Sequence, residues 1–278
     1  MQDKPSVLPE PDPPESYDEV EASKAPLMEH LIELRQRLIY ALIGIGIGFV
    51  ICFAFATQIY NLLVWPYQVA RGADQKIEMI YTAPHEFFFT KLKLALFGAV
   101  FLAFPIIAYQ LYKFVAPGLY KNERAAFRPY LLWTFILFIT GALVVYFIVM
   151  PLAMMFFLSM EQTGGQVEIH LQARVSEYLS LIMTLILGFG VMFQLPVVVT
   201  LLARAGIVTG EQLRSFRRYA IVAITAAAGV LSPPDPFSMV AMALPTILLY
   251  EAGILAVDRV EKARAAKEAA EAEPAATG

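Results

Sequence analysis

Charge is scarce in this chain. Of its 278 residues only 16% are charged, while 58% are hydrophobic and the mean hydropathy is +0.61. A soluble domain carries about a quarter charged residues, so the shortage excludes an ordinary water-soluble fold and points to a membrane protein. The net charge of −3 and the scattered cations exclude a nucleic-acid partner. Cysteine is nearly missing. Cys52 stands alone inside an apolar run, which excludes a disulfide framework and any multi-cysteine metal site. The three histidines, His30, His85 and His170, are far apart with no ligand-like spacing, so no metal or other cofactor is implied. There is no Walker loop, HExxH, GxSxG or pair of intramembrane aspartates, and hence no enzyme signature. A basic secretory leader is lacking as well. Residues 1–26 hold six prolines, seven acids and two lysines, a net charge of −5, and predict a disordered cytosolic leader.

Long apolar runs are what the chain has in abundance. A span needs roughly 20 apolar residues to cross about 30 Å of hydrocarbon. Residues 38–57, 94–112, 130–157 and 178–203 meet that requirement. Residues 219–232 offer only 14 positions before "PPDP", and 237–257 are long enough but carry Glu251. This last pair reads as one helical hairpin turned by Pro233, Pro234 and Pro236. The expected fold is therefore an all-α integral membrane protein with six transmembrane helices, the fifth and sixth short. Its expected parts are the leader 1–26, a membrane domain 27–258 and a cytoplasmic tail 259–278. Between the spans, residues 58–86 and 159–177 read as long outer loops, the second expected to hold a short amphipathic piece on the membrane surface.

Orientation follows from Lys and Arg. With the N-terminus inside, the inner segments hold Arg35, Arg37, Lys113, Lys121, Arg124, Arg128, Arg204, Arg214, Arg217, Arg218, Arg259, Lys262, Arg264 and Lys267, which is fourteen. The outer segments hold five, namely Arg71, Lys76, Lys91, Lys93 and Arg174. Both termini are expected to be cytoplasmic.

Few polar residues remain that could carry chemistry. In "HLIELRQRL" before the first span, Leu27, Leu31, Leu34 and Leu38 form one helical stripe. Glu33 lies off that stripe, and Arg37 is its i+4 neighbour. The pair reads either as a surface ion pair beside topogenic cations or as a carboxylate placed to receive a cationic ligand. Glu123 is the only acid in "YKFVAPGLYKNERAAFRP", where it either neutralises its basic neighbours or serves as a receptor; Pro117-Gly118 holds it near the membrane surface. Gln194 lies mid-span before Pro196 and needs a partner inside the bundle. Glu251 is either a functional intramembrane acid or the partner of an inner-loop arginine. Asp235 sits where a carboxylate caps a helix start.

Together these segments resemble a known family. "HLIELRQRL", "FVAPGLYKNER", "FQLPV" and "LSPPDPFS" come in the order and at the spacing of TatC, the multi-spanning core of the twin-arginine protein translocase. The similarity covers about residues 27–258. It implies a concave bundle in the bacterial cytoplasmic (inner) membrane. It also implies a receptor for the twin-arginine signal peptides of folded cargo, which assembles with TatA- and TatB-type single-span partners in a multimeric complex driven by the proton-motive force. On this resemblance Glu33 and Glu123 match the acids that bind the arginine pair. Arg35, Phe114, Leu119, Tyr120 and Lys121 fall in the same recognition region. Gln194, Ser232, Asp235, Met239 and Glu251 fall among the intramembrane polar and partner-helix positions. The chain departs from the family at Gln194, where many members carry Glu, and at Met239, where another member has Gln. A small-solute transporter would need several polar groups at mid-depth, and an intramembrane enzyme would need a nucleophile and base there; the spans supply neither.

Overall fold

The computed structural model describes residues 16–72, 77–115, 128–162, 167–232 and 236–272. Over these residues the chain is helical, with two isolated bridges, Ile80 with Arg174 and Gln162 with Ile169. The helices are α1 (Ser16–Ala54), α2 (Ala56–Arg71), α3 (Glu86–Val115), α4 (Arg128–Val144), α5 (Met150–Leu158), α6 (Val175–Met192), α7 (Leu195–Arg204), α8 (Gly210–Ser215), α9 (Arg217–Leu231) and α10 (Pro236–Ala272). A single π-helical turn, Val145–Val149, joins α4 to α5. Five stretches are long and apolar enough to cross a membrane: Leu31–Ala54, Glu86–Phe114, Tyr130–Leu158, Val175–Arg204 and Ser238–Ala266. The helix expected as the fifth span is α9. Its 15 residues reach about 22 Å, short of a bilayer core. α1 starts inside the acidic leader, and α10 continues into the expected tail as far as Ala272.

Small residues decide which helices meet. Apolar faces gain nothing by leaving lipid, so spans associate through close packing and hydrogen bonds. α1 lies against α3 through Gly44, Gly48 and Gly98. A Cβ at Gly48 would stand 3.1 Å from the Ala99 carbonyl, and one at Gly98 would stand 2.9 Å from the Cys52 sulfur. α4 meets α6 the same way, since a Cβ at Gly141 would lie 2.9 Å from the Phe189 carbonyl. Phe138 of α4 stacks on Phe104 of α3 with ring centroids 3.6 Å apart. α6 is the centre of the bundle, with 56% of its span window buried, and α1 is peripheral at 17%.

Prolines set the breaks, and the carbonyls they free are taken up by side chains. Pro66 lies inside α2 and cannot donate to the Leu62 carbonyl. The Tyr146 hydroxyl donates to that carbonyl at 2.8 Å, and the Tyr178 hydroxyl donates to Leu63 O next to it at 2.8 Å. Tyr146 belongs to the π turn, which widens the helix directly before Pro151. Trp65 stacks on Tyr146 at 5.5 Å, and Tyr67, fully buried, packs on Tyr178. Residues 58–71, expected as outer loop, thus belong to a helix pinned onto the bundle.

Call the end where α1 begins and α3 and α10 finish the proximal end, and the opposite one distal. The distal loops tie to each other. Ile80 N donates to Ala173 O at 3.1 Å, and Val175 N donates to Ile80 O at 3.0 Å. Glu86 accepts from Ser176 Oγ, Thr82 N, Thr82 Oγ1 and Ala83 N. Among the described residues, the segment expected to hold a short amphipathic piece is extended from 167 to 174. Val167, Ile169, Leu171 and Ala173 alternate with polar residues, a period of two that suits extended backbone.

Candidate functional site

At the proximal end Glu33 projects from α1, partly exposed. Arg37 Nη2 donates to Glu33 Oε1 at 2.8 Å, one helical turn away. Among the described residues nothing donates to Glu33 Oε2. The carboxylate at this position therefore already holds one guanidinium and presents a second oxygen. Arg35 is exposed, and Phe114 is half-buried in the last turn of α3. Leu119, Tyr120, Lys121 and Glu123 lie outside the described residues.

The elements flanking that loop carry an aromatic and cationic rim that sequence reading did not single out. Lys113 places its ammonium 4.4 Å above the Tyr109 ring at the end of α3. Arg204, at the end of α7, lies 4.9 Å over the Tyr130 ring at the start of α4. The signal for both was available, since each cation ends an apolar run within reach of an aromatic residue.

Gln194 occupies the break between α6 and α7. Pro196 stops the regular ladder, so Gln194 N donates to Val191 O at 3.0 Å and the Gly190 carbonyl loses its usual amide. The Gln194 side chain replaces that amide: Nε2 donates to Gly190 O at 3.2 Å and to Thr134 O of α4 at 3.0 Å. Its Oε1 is buried without a hydrogen-bond donor. The amide thus closes the kink and joins two spans.

Glu251 is paired. Arg217 Nε lies 2.6 Å from Oε1 and Arg217 Nη2 donates to Oε2 at 2.8 Å, a two-pronged grip between the start of α9 and α10. Asp258 binds Arg214, and Glu261 accepts from Gly210 N at 2.9 Å, so one face of α10 clamps the α8–α9 elbow. Ser232 closes α9 at the distal end, buried with its hydroxyl lacking a partner, and Met239 packs near Gly229. Asp235 lies outside the described residues. Met239 and Glu251 are twelve residues apart on α10, about 18 Å, so the intramembrane polar positions are spread over both ends. Among the described residues no group of His, Cys, Asp and Glu is placed to hold a metal ion.

A proximal acid holding a guanidinium, a Gln-Pro kink in a central span and a short α9 before a proline turn are the features to compare with known proteins. The family model described as Sec-independent protein translocase protein (TatC) matches residues 29–245. The chain belongs to the TatC family. The TatC protein of Magnetococcus marinus is 44% identical over 248 residues, 89% of either chain. TatC of Escherichia coli strain K12 is 38% identical over 229 residues, 82% of this chain and 86% of that one. A crystal structure described as the twin arginine translocase receptor TatC superimposes with a TM-score of 0.72 at 38% identity, covering 82% of this chain and 98% of the other. TatC membership makes this chain a multi-pass membrane component of a protein translocase, a transport protein and not an enzyme.

Proposed function

We propose that this chain is the receptor of its translocase and grips the arginine pair of twin-arginine signal peptides between Glu33 and Glu123 on the cytoplasmic face. The observation that carries the reading is the Glu33 carboxylate, which binds a guanidinium through one oxygen while no donor among the described residues takes the other. An exposed i,i+4 ion pair contributes only about 0.3–0.5 kcal/mol. Each charge-assisted hydrogen bond to an incoming arginine contributes about 1.5–3 kcal/mol when shielded, so a peptide guanidinium outcompetes Arg37. Lysine lacks the planar fork and cannot copy the second bond. Arg35, Phe114, Leu119, Tyr120 and Lys121 are assigned to the same recognition region.

The fourteen-to-five bias of Lys and Arg supports cytoplasmic termini and hence an even, six-span course through α9 and α10, while TatC kinship and the apolar helices support the bacterial inner membrane as the site. Single-span partners of TatA and TatB type then dock along the concave face, near Gln194, Ser232, Asp235 and Met239, in a multimeric complex that uses the proton-motive force. Gln194 does not titrate, so its part is in helix contact and not proton transfer. Photocrosslinking from residues 33, 114 and 123 to a twin-arginine peptide tests the reading. Crosslinks from all three positions are expected, and silence at 33 and 123 with insertion intact removes the assignment.

A further inference from the structure

We propose that a pocket between α2, α3 and α6 at the distal end binds the phosphate of an anionic phospholipid, with Lys91 as its cation. The pocket encloses about 180 Å³. Leu94 and Leu179 form a buried floor, whereas Thr57 and Asn61 stand exposed at the mouth beside the half-buried Lys91. Whole small-molecule ligands occupy about 300–1,000 Å³, so this space suits a fragment such as a headgroup phosphate.

Three observations favour that occupant. Lys91 lies five residues after the start of α3, about 7.5 Å down the helix, at the depth where hydrocarbon gives way to headgroups. Its ammonium rests 5.0 Å from the Phe87 ring, and among the described residues no carboxylate pairs with it. The nearest acid on the same helix, Glu86, is already filled by donors from Thr82, Ala83 and Ser176. An intramembrane cation without a protein counter-charge needs an anion, and at this depth the lipid phosphate supplies one. The apolar floor meets the first methylenes next to the headgroup, a contact that a free phosphate would leave unused. This inference rests on membrane placement and not on the peptide-receptor reading.

Native mass spectrometry of the full chain in detergent, titrated with phosphatidylglycerol, tests it. Lys91→Gln is expected to weaken retention of the tightest-bound lipid about fivefold, the scale of one lysine's attraction to an anionic membrane surface. Lys91→Arg should retain the lipid. Thr57→Phe, which fills the mouth without changing charge, should lose it. Lys93→Gln, exposed two residues further along α3, serves as the control and should match wild type. Equal retention by wild type and Lys91→Gln overturns the proposal, as does an equal loss in Lys93→Gln. Displacement of the lipid by millimolar inorganic phosphate would assign the pocket to free phosphate and overturn the lipid source, and resistance to it supports that source.

Discussion

Glu33 and Arg37 sit one helical turn apart, and their partly exposed i,i+4 bond is weak enough to be exchanged. Replacing Arg37 with Gln should therefore change stability by no more than about 0.5 kcal/mol while tightening peptide binding, because the carboxylate loses its internal competitor. Chemical denaturation and peptide titration on the same sample measure the two effects. Tyr146 offers a second test at this scale. Its hydroxyl serves a carbonyl that Pro66 leaves open, so Tyr146→Phe should destabilise the chain by about 0.5–1.5 kcal/mol, the net worth of one hydrogen bond. In a Pro66→Ala background, where an amide is restored to α2, the same change should be milder. Thermal unfolding of the four combinations reads this coupling, and equal losses in both backgrounds would contradict it. Residue-level legibility was uneven. The i+4 spacing of Glu33 and Arg37 was plain in the sequence, and an inner-loop arginine was one of two expected fates for Glu251, which pairs with Arg217. The tyrosine clasp was not readable, since it joins residues 84 apart through a π turn that no local pattern announces.

Glycine spacing governs the element scale. Gly44, Gly48 and Gly98 let α1 and α3 approach closely enough that a side chain at any but the outermost would displace backbone or Cys52. Gly98→Val should cost about 1–3 kcal/mol by overpacking and separate α1 from α3. A crosslink between cysteines placed at residues 44 and 106, where a Cβ at 44 would stand 3.7 Å from the Ile106 Cβ, in a Cys52→Ser chain reports that separation, and an undiminished crosslink would contradict it. The long spans were legible because 20 apolar residues in a row admit few other fates in a bilayer. α2 was misread as loop because its aromatic-rich sequence with an internal proline lacks the usual helix signals and is held by tertiary contacts with Tyr146 and Tyr178. The extended segment 167–174 carries a period-two pattern, the signal of extended backbone inside what was expected only as a short amphipathic surface piece.

For the whole molecule, family kinship and the five apolar helices define a multi-pass translocase component, and the receptor reading adds a direction and a ligand to it. Direction is open to accessibility mapping with single cysteines at residues 35 and 169 in a Cys52→Ser chain. Labelling of 35 from the cytosolic side and of 169 from the outside is expected, and the reverse would invert the topology. Motif order carried the family assignment, whereas the proposed pairing of Glu33 with Glu123 has no local sequence signal, because the two are 90 positions apart. The most direct measurement is the affinity of the purified chain for a twin-arginine peptide against its twin-lysine counterpart. Wild type should prefer arginine by about tenfold, the worth of one charge-assisted hydrogen bond, and a Glu33→Gln, Glu123→Gln double variant should lose that preference. An undiminished preference for arginine in the double variant would contradict the account.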